Sequence, residues 1–331
     1  MTTVTRAMRG TLAAAVLVVL AAQAAVAQTK PSSGPWTERP YNPPVGSRWS
    51  IVTQSDADET RSAGERRSRQ IRTRAEFTIE EKLADGFRIS YVSRGVEISG
   101  NTPGLELAAQ AFGAMKDIVV RARTDLAGKP VAVENLDAVK ASMRMVVERM
   151  VKGFDNNPQA AAFLQQVMEG FLLVDGAQAA QTYMEDLPVL AAGQNTGLAP
   201  GAVKRESESV PSPLGGGEIK SSLETQLVAW DDATGKARLV RRRVFDPAVL
   251  KQVTLDLTQR LTAAIPNNTV TPEVLAAMKN VSLAITSEVT MDVENGMTRA
   301  LEDRSTTTAS LLGQSLRKTE KKTVSVTPLA K

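Results

Sequence analysis

The two residue types that most often carry enzyme chemistry or bind metal ions are missing from this chain of 331 residues, which has no histidine and no cysteine. Zinc and copper sites of the usual type need these side chains, as do thiol nucleophiles, disulfides and histidine-dependent triads. General acid–base catalysis would have to rest on Asp, Glu, Lys or Tyr alone. We therefore predict a protein that is not an enzyme and that uses no cofactor and no metal.

Four short patterns resemble functional motifs, and each has a simpler interpretation. Residues 315–318 match S-x-x-K, but that motif requires a helix start and the surrounding residues alternate as in a strand. The glycines at 215–217 lack the Lys-Ser/Thr pair of a phosphate-binding loop. The glutamates at 80–81 point to opposite faces of a predicted strand, and the aspartates at 231–232 lie in a predicted turn. None of the four indicates a catalytic site.

A set of apolar side chains that includes several methionines suggests the most specific functional hypothesis. Methionine is flexible and polarizable, so a surface rich in it adapts to irregular hydrophobic partners. These side chains would line a space for lipid or another apolar small molecule; the alternative is plain core between helices and sheet. The candidate lining residues are Phe77, Ile79, Phe87, Tyr91, Met143, Met150, Phe163, Met168 and Phe171.

Two basic stretches could contact an anionic envelope surface. The first includes Arg66, Arg67 and Arg69, and the second is the run from Arg241 through Arg242 to Arg243. The alternative is the solvated face of a hairpin, where alternating charges are expected in any case. Nucleic acid is not a predicted partner, because no aromatic residues are interleaved with these arginines and the formal net charge is only +4.

The N-terminus has the three parts of a secretory signal peptide in order. Arg6 and Arg9 form the positive region, residues 11–22 are small and apolar, and residues 25–27 offer a small-x-small cleavage site. The apolar part is shorter than the roughly 20 residues that span a bilayer. We predict cleavage near Ala27, a periplasmic or secreted protein, and no transmembrane segment in the mature chain.

The remaining chain is predicted to form one β-rich domain. Residues 28–46 hold five prolines and indicate an extended, poorly ordered lead-in. From Arg48 the hydrophobic pattern has a period of two, which is typical of strands with one buried face. Helical spacing returns over about 136–190 and again after Asp246. The dipeptide at 295–296, Asn-Gly, is a strong hairpin signal.

The domain, residues 47–331, is predicted to contain two similar halves, 47–190 and 202–328, joined by a linker rich in Gly and Pro. Each half has the order hairpin, helix, hairpin: residues 75–95 correspond in pattern to 223–243, and residues 117–135 to 285–303. We interpret this order as an internal duplication; the alternative is that an antiparallel protein with helical crossovers shows it by chance.

Cleanly alternating strands need a cover for their buried face, and only the helices can supply it. We therefore predict an α+β fold: a strongly curved antiparallel sheet or open β-barrel with helices covering one face. This pattern resembles exported bacterial families of unknown function. It also resembles the LolA-type periplasmic lipoprotein carriers, in which a half-open barrel covers helices and holds acyl chains. The resemblance implies a carrier function for residues 46–328 and identifies no individual residue.

Two functions follow as hypotheses. The first is a non-enzymatic periplasmic binding or carrier protein whose sheet and helices enclose an apolar cavity. The second is a structural or assembly module with a filled core that acts through its surface. A cavity of at least roughly 300 Å³ would favour the carrier, and a solidly packed interior would favour the module.

Overall fold

The computed structural model describes residues 36–62, 64–101, 105–152, 172–211, 218–246, 248–250, 252, 282–311 and 314–330. Eleven strands within these ranges form one antiparallel sheet whose two edges remain separate. Helices cover one face of the sheet, so the predicted fold class is confirmed. The predicted signal peptide, residues 1–27, lies outside the described residues.

The strands follow the chain in a meander. Their order across the sheet is β5-β4-β3-β2-β1-β11-β10-β9-β8-β7-β6, so every neighbouring pair except β1 and β11 is consecutive in sequence. The strands are β1 (Arg48–Arg61), β2 (Arg66–Lys82), β3 (Gly86–Gly100), β4 (Val119–Asp125), β5 (Pro130–Val133), β6 (Val203–Pro211), β7 (Glu218–Asp231), β8 (Lys236–Phe245), β9 (Ser282–Glu294), β10 (Met297–Leu311) and β11 (Gln314–Pro328).

The helices are short. We number them α1 (Leu105–Ala114), α2 (Leu136–Lys152) and α3 (Gly176–Tyr183), and a 3-10 turn follows at Leu187–Ala191. Asp175 caps the N-terminus of α3, because its carboxylate accepts a hydrogen bond from the backbone amide of Gln178 at 3.0 Å. The helix predicted after Asp246 begins at residue 248, and residues 253–281 lie outside the described residues.

Turn chemistry fixes the hairpin between β9 and β10. Asn295 and Gly296 have φ of 51° and 78°, and positive φ at both central residues defines the type I′ turn that matches the twist of two antiparallel strands. The predicted hairpin at this dipeptide is therefore confirmed, with Glu294 paired to Met297 across the turn.

The central seam of the sheet joins distant parts of the sequence. β1 and β11 pair antiparallel over thirteen residue pairs, from Trp49 with Pro328 to Arg61 with Leu316. The guanidinium of Arg299 on β10 stacks 4.4 Å from the ring centroid of Trp49, which adds a contact across β11. This seam makes the two halves one continuous sheet.

We call the helix-covered side of the sheet the inner face. Alternate residues of the first five strands point to it, and Ile51, Phe77, Ile79, Phe87 and Ile89 are at most 1% exposed there. Together with α3 and the 3-10 turn they form the largest core cluster. Burying each such side chain stabilises the fold by about 1.5–3 kcal/mol.

The second half has two smaller core clusters. One of them contains Leu239 and Met291, together with Leu198. The other gathers Ile219, Phe245, Leu250 and Leu283; Leu250 belongs to the helix that begins at residue 248.

Residues 36–46, which we call the N-terminal strap, are held firmly against the sheet. Arg39 donates hydrogen bonds to the Asn295 side chain at 2.8 Å and to the carbonyl oxygen of Asp232. Glu38 accepts bonds from the backbone amides of Thr196 and Gly197. The expectation of a poorly ordered lead-in is therefore wrong for residues 36–46, because these bonds span 158 to 256 positions of sequence and no local pattern reveals them.

Candidate functional site

A half-open cavity of about 240 Å³ lies between the inner face of the first half and the helices. Strands β2 and β3 form its floor, α2 and the segment before β4 form one wall, and the end of α3 forms the other. Its lining residues are Ile71, Thr73, Arg74, Ala75, Tyr91, Ser93, Val96, Ile98, Met115, Ile118, Val120, Met143, Thr182, Tyr183, Glu185 and Asp186.

A bulge in β3 sets which of its side chains line the floor. The pairing of β2 with β3 shifts between Arg74 and Ala75, where Ser93 and Gly95 are the partners. The extra residue reverses the alternation, so Val96 and Ile98 join Tyr91 and Ser93 in the cavity lining. Without the bulge, the same strand would present Glu97 at this position.

Most of the lining is apolar. Ile71, Val96 and Ile98 come from the sheet, and Met115 and Ile118 from the segment that connects α1 to β4. This lining can accept hydrocarbon without burying an unsatisfied polar group.

The polar part of the lining centres on Asp186, which is 6% exposed. Its two carboxylate oxygens accept hydrogen bonds from the hydroxyl groups of Thr53 at 2.9 Å and Thr73 at 3.2 Å. Thr53 and Thr73 are directly paired across β1 and β2, so the sheet presents both hydroxyls to one carboxylate. The Asp186 side chain does not cap the 3-10 turn that follows it.

Glu185 stands beside Asp186 at the mouth of the cavity, where solvent reaches it. The surrounding protein atoms remove part of the water around its carboxyl group, which raises its pKa, and the negative charge of Asp186 raises it further. Lys322 on β11 opposes this rise. The mouth therefore carries a carboxyl group that holds its proton more tightly than an ordinary glutamate.

Tyr91 lies on the floor, and burial raises the pKa of its phenol far above the ordinary value. It is neutral at physiological pH, and its hydroxyl can both donate and accept a hydrogen bond.

The predicted lining residues divide into four groups. Tyr91 and Met143 line the cavity. Phe77, Ile79 and Phe87 lie instead in the packed core, where Phe87 meets Tyr41 of the strap edge-to-face with ring centroids 5.4 Å apart. The half-buried Met150 is outside the lining, and Phe163, Met168 and Phe171 lie outside the described residues.

The two basic stretches divide between the two faces of the sheet. Arg66 is exposed on the outer face. Arg67 and Arg69 belong to the inner-facing positions of β2; Arg67 forms an ion pair with Glu65 at 2.7 Å, and Arg69 is exposed. These three arginines lie at the same end of β2.

In the second stretch only Arg242 points outward, where it pairs with Glu288 at 2.7 Å. Arg241 and Arg243 lie on the inner face. Burial lowers the pKa of Arg241, and Arg243 forms an ion pair with Glu208. The run of three arginines is therefore not one surface patch.

Sequence reasoning missed the two carboxylates at the cavity, Glu185 and Asp186. Neither belongs to a periodic segment, and the only nearby signal is the Leu187-Pro188 dipeptide that ends the helical region. Asp186 becomes buried because the chain after α3 returns to the sheet over Thr53 and Thr73, a contact across more than a hundred residues.

The described part of the chain contains no group of three or more Asp or Glu side chains arranged to hold a metal ion. Within the same residues, no helix combines the length and the apolar character required to cross a bilayer.

Comparisons with known proteins give only weak structural likenesses. No protein-family model matches the chain, and no curated protein matches it. Among solved structures, lipovitellin, in a study of lipid–protein interactions, aligns with a TM-score of 0.37 and 10% identity over 87% of this chain. The chain spans only 26% of lipovitellin's length. An outer membrane channel from Pseudomonas putida F1 aligns with a TM-score of 0.18 and 9% identity, covering 89% of this chain and all of that one. Scores this low bear on neither function nor family.

Proposed function

We propose that this protein is a non-enzymatic binding or carrier protein of the bacterial envelope that holds an apolar cargo, such as lipid, between its sheet and its helices. The observation that carries the proposal is the half-open cavity of about 240 Å³ with its largely apolar lining. The signal-peptide pattern at residues 1–27 supports a site of action outside the cytoplasm.

The size of the cavity limits the cargo. Drug-sized ligands occupy pockets of about 300–1,000 Å³, so this space falls just below that range and below the roughly 300 Å³ expected of a carrier. It has room for roughly eight groups of water size, at ~30 Å³ each. A single hydrocarbon chain, or one chain of a larger lipid, suits this volume.

The cavity is separate from the residues that stabilise the sheet most. Phe77, Ile79 and Phe87 fill the core beside it and are not part of its lining. An empty cavity therefore leaves the main core intact, as a protein that loads and releases cargo requires.

Native mass spectrometry and lipid extraction of the protein purified from the bacterial periplasm test this function. We expect a bound apolar molecule, or uptake of the neutral fluorescent probe N-phenylnaphthylamine by the emptied protein. Protein recovered without lipid that also fails to take up the probe would count decisively against a carrier.

A matched pair of variants locates the binding. Val96→Trp places an indole in the cavity and is expected to abolish probe binding. Val92→Trp makes the same change on the same strand but outside the lining, and is expected to retain it. Equal binding by both variants would place the probe elsewhere.

A structural or assembly module is the second candidate, and the close packing of the interior favours it. Ten of the largest side chains of the described core are less than 2% exposed. A protein that binds no apolar probe but is isolated with a second protein would support this candidate instead.

A further inference from the structure

Asp186 is buried without a cation. Among the described residues its carboxylate accepts only the two threonine hydroxyl bonds, and it forms no ion pair. A carboxylate can accept about four hydrogen bonds, so it retains capacity that faces the cavity. Buried charges are normally paired, because burial of an isolated charge is costly.

No basic side chain of the cavity lining compensates the negative charge of Asp186. Arg74 is the one basic residue in the lining, and it belongs to the alternate face of β2, between the inward-facing Thr73 and Ala75. Arg74 is exposed, as expected of a side chain on the outer face of the sheet. Lys322 on β11 is exposed, and its charge acts on Glu185 at a distance; among the described residues no ion pair joins it to Glu185 or to Asp186.

The second carboxylate adds to the negative potential. Glu185 lines the mouth beside Asp186, and their mutual repulsion is one cause of the raised pKa of Glu185. Tyr91, the titratable group on the floor, is neutral and adds no positive charge.

Resting on the proposed carrier function, we infer that the cargo is an amphiphile whose polar end is a hydrogen-bond donor, in its tightest-binding form a protonated amine, and that this end is held by Asp186. Its hydrocarbon part lies on Ile71, Val96 and Ile98. A fatty-acid carboxylate is disfavoured, because its charge would meet Asp186 and Glu185 at the same end of the cavity.

Three probes with one chain length and different polar ends test the inference: octylamine hydrochloride, octanol and octanoate. Each competes with N-phenylnaphthylamine for the full-length mature protein at neutral pH. We expect octylamine to compete at least about tenfold more strongly than octanol, because a hydrogen bond to a charged group contributes more than a neutral one. Octanoate is expected to be the weakest competitor.

Asp186→Asn identifies the residue responsible. This change is expected to remove the preference for octylamine while octanol competes as before. Asp56→Asn is the matched control: Asp56 lies on β1 outside the cavity lining and contacts Gln54 and Gln70, so the preference for octylamine is expected to persist.

The outcomes separate this inference from the carrier function. If the three probes compete equally, or if octanoate competes best, the inference is overturned while the carrier function stands. If none of them and no fluorescent probe binds, both are overturned. The comparison of probes on the unaltered protein decides the inference even if Asp186→Asn does not fold.

Discussion

Single residues of the first half fall into two environments, the packed core and the cavity. Phe87 is 1% exposed and contacts Tyr41, whereas Glu185 is solvent-exposed at the mouth of the cavity. The two kinds of position are expected to respond differently to substitution and to pH.

In the core, Phe87→Ala is expected to destabilise the protein by about 3–5 kcal/mol, because it removes a buried ring and leaves a cavity. Urea unfolding measures the change. Val244→Ala is the comparison, since Val244 is 47% exposed and surface substitutions usually change stability by less than about 0.5 kcal/mol. Similar losses for the two variants would contradict the packing described for Phe87.

At the mouth, Glu185→Gln is expected to change how stability depends on pH. The raised pKa means that the folded protein binds the Glu185 proton more tightly than the unfolded chain does. This group therefore makes the protein less stable as pH rises from the ordinary glutamate pKa of about 4.3 through the higher folded pKa.

Relative to the unaltered protein, the Gln variant should gain stability between pH 4 and pH 7, measured by urea unfolding at both values. The other titratable groups near Glu185 are Asp186, Tyr91 and Lys322, and they are the same in both proteins. A stability difference that does not vary with pH would refute the expectation.

Sequence reasoning predicted the residue types of the site better than their positions. The structure places Tyr91 and Met143 in a cavity lining, but the sequence could not distinguish them from Phe87, because both sets have the same alternating or helical spacing. Only the placement of α3 and of the bulge near Gly95 decides which apolar residues meet a cavity.

Among the elements, the N-terminal strap shows the largest difference between expectation and structure. Its prolines predicted an unstructured segment, yet Tyr41 is buried in the main core and Arg39 and Glu38 bind loops of the second half. The strand alternation, by contrast, predicted most of the sheet.

Arg39→Ala is expected to release the strap and to cost about 1–3 kcal/mol, because it leaves backbone carbonyl groups of the β7–β8 turn without their donor. Hydrogen exchange of the strap amides should accelerate. Arg304→Ala, which removes an arginine that is 61% exposed and pairs with Glu302, should leave that exchange unchanged. Equal exchange rates for the two variants would contradict a structural role for Arg39.

Gly296→Ala is expected to be more disruptive than a usual turn substitution. Gly296 has positive φ, and an added Cβ atom would lie 2.5 Å from the backbone of Arg39 and Tyr41. The change should lower the melting temperature and also loosen the strap. Gly64→Ala is the control, because Gly64 also has positive φ but an added Cβ atom there meets no other atom within 4 Å, so this variant should leave the strap unchanged. A strap as protected as in the unaltered protein would show that the turn and the strap are independent.

At the scale of the whole molecule, the order of strands repeats. β1 to β5 and β6 to β10 run across the sheet in the same order, with β11 between the two sets. When residues 75–95 are aligned with 223–243, the extra residue of a bulge in β2, Glu80, falls at the same position as Val228, the extra residue of a bulge in β7. When residues 117–135 are aligned with 285–303, the extra residue Val131 of β5 falls at the same position as the extra residue Arg299 of β10. Bulges at matched positions are what an internal duplication predicts, and the duplication itself stays a prediction.

The continuous sheet is expected to unfold as one cooperative unit. The chain has three tryptophans. Trp49 reports on β1 and Trp230 on β7, so variants that retain only Trp49 or only Trp230, with Trp36 also replaced, follow the two halves separately by fluorescence. Coincident urea transitions for both reporters, and for circular dichroism, are expected. Two separate transitions would mean that the seam between β1 and β11 does not couple the halves.

The pairing of β1 with β11 also determines when the sheet can be completed during synthesis of the chain. About 250 residues separate the end of β1 from the start of β11, which at 5–20 residues per second corresponds to on the order of 10–50 s of synthesis. During that time β1 has one partner and an open edge in the middle of the future sheet. The last of the eleven described strands thus occupies the centre of the sheet. Until it pairs, the two halves are incomplete sheets with open edges, and open edges favour wrong pairing.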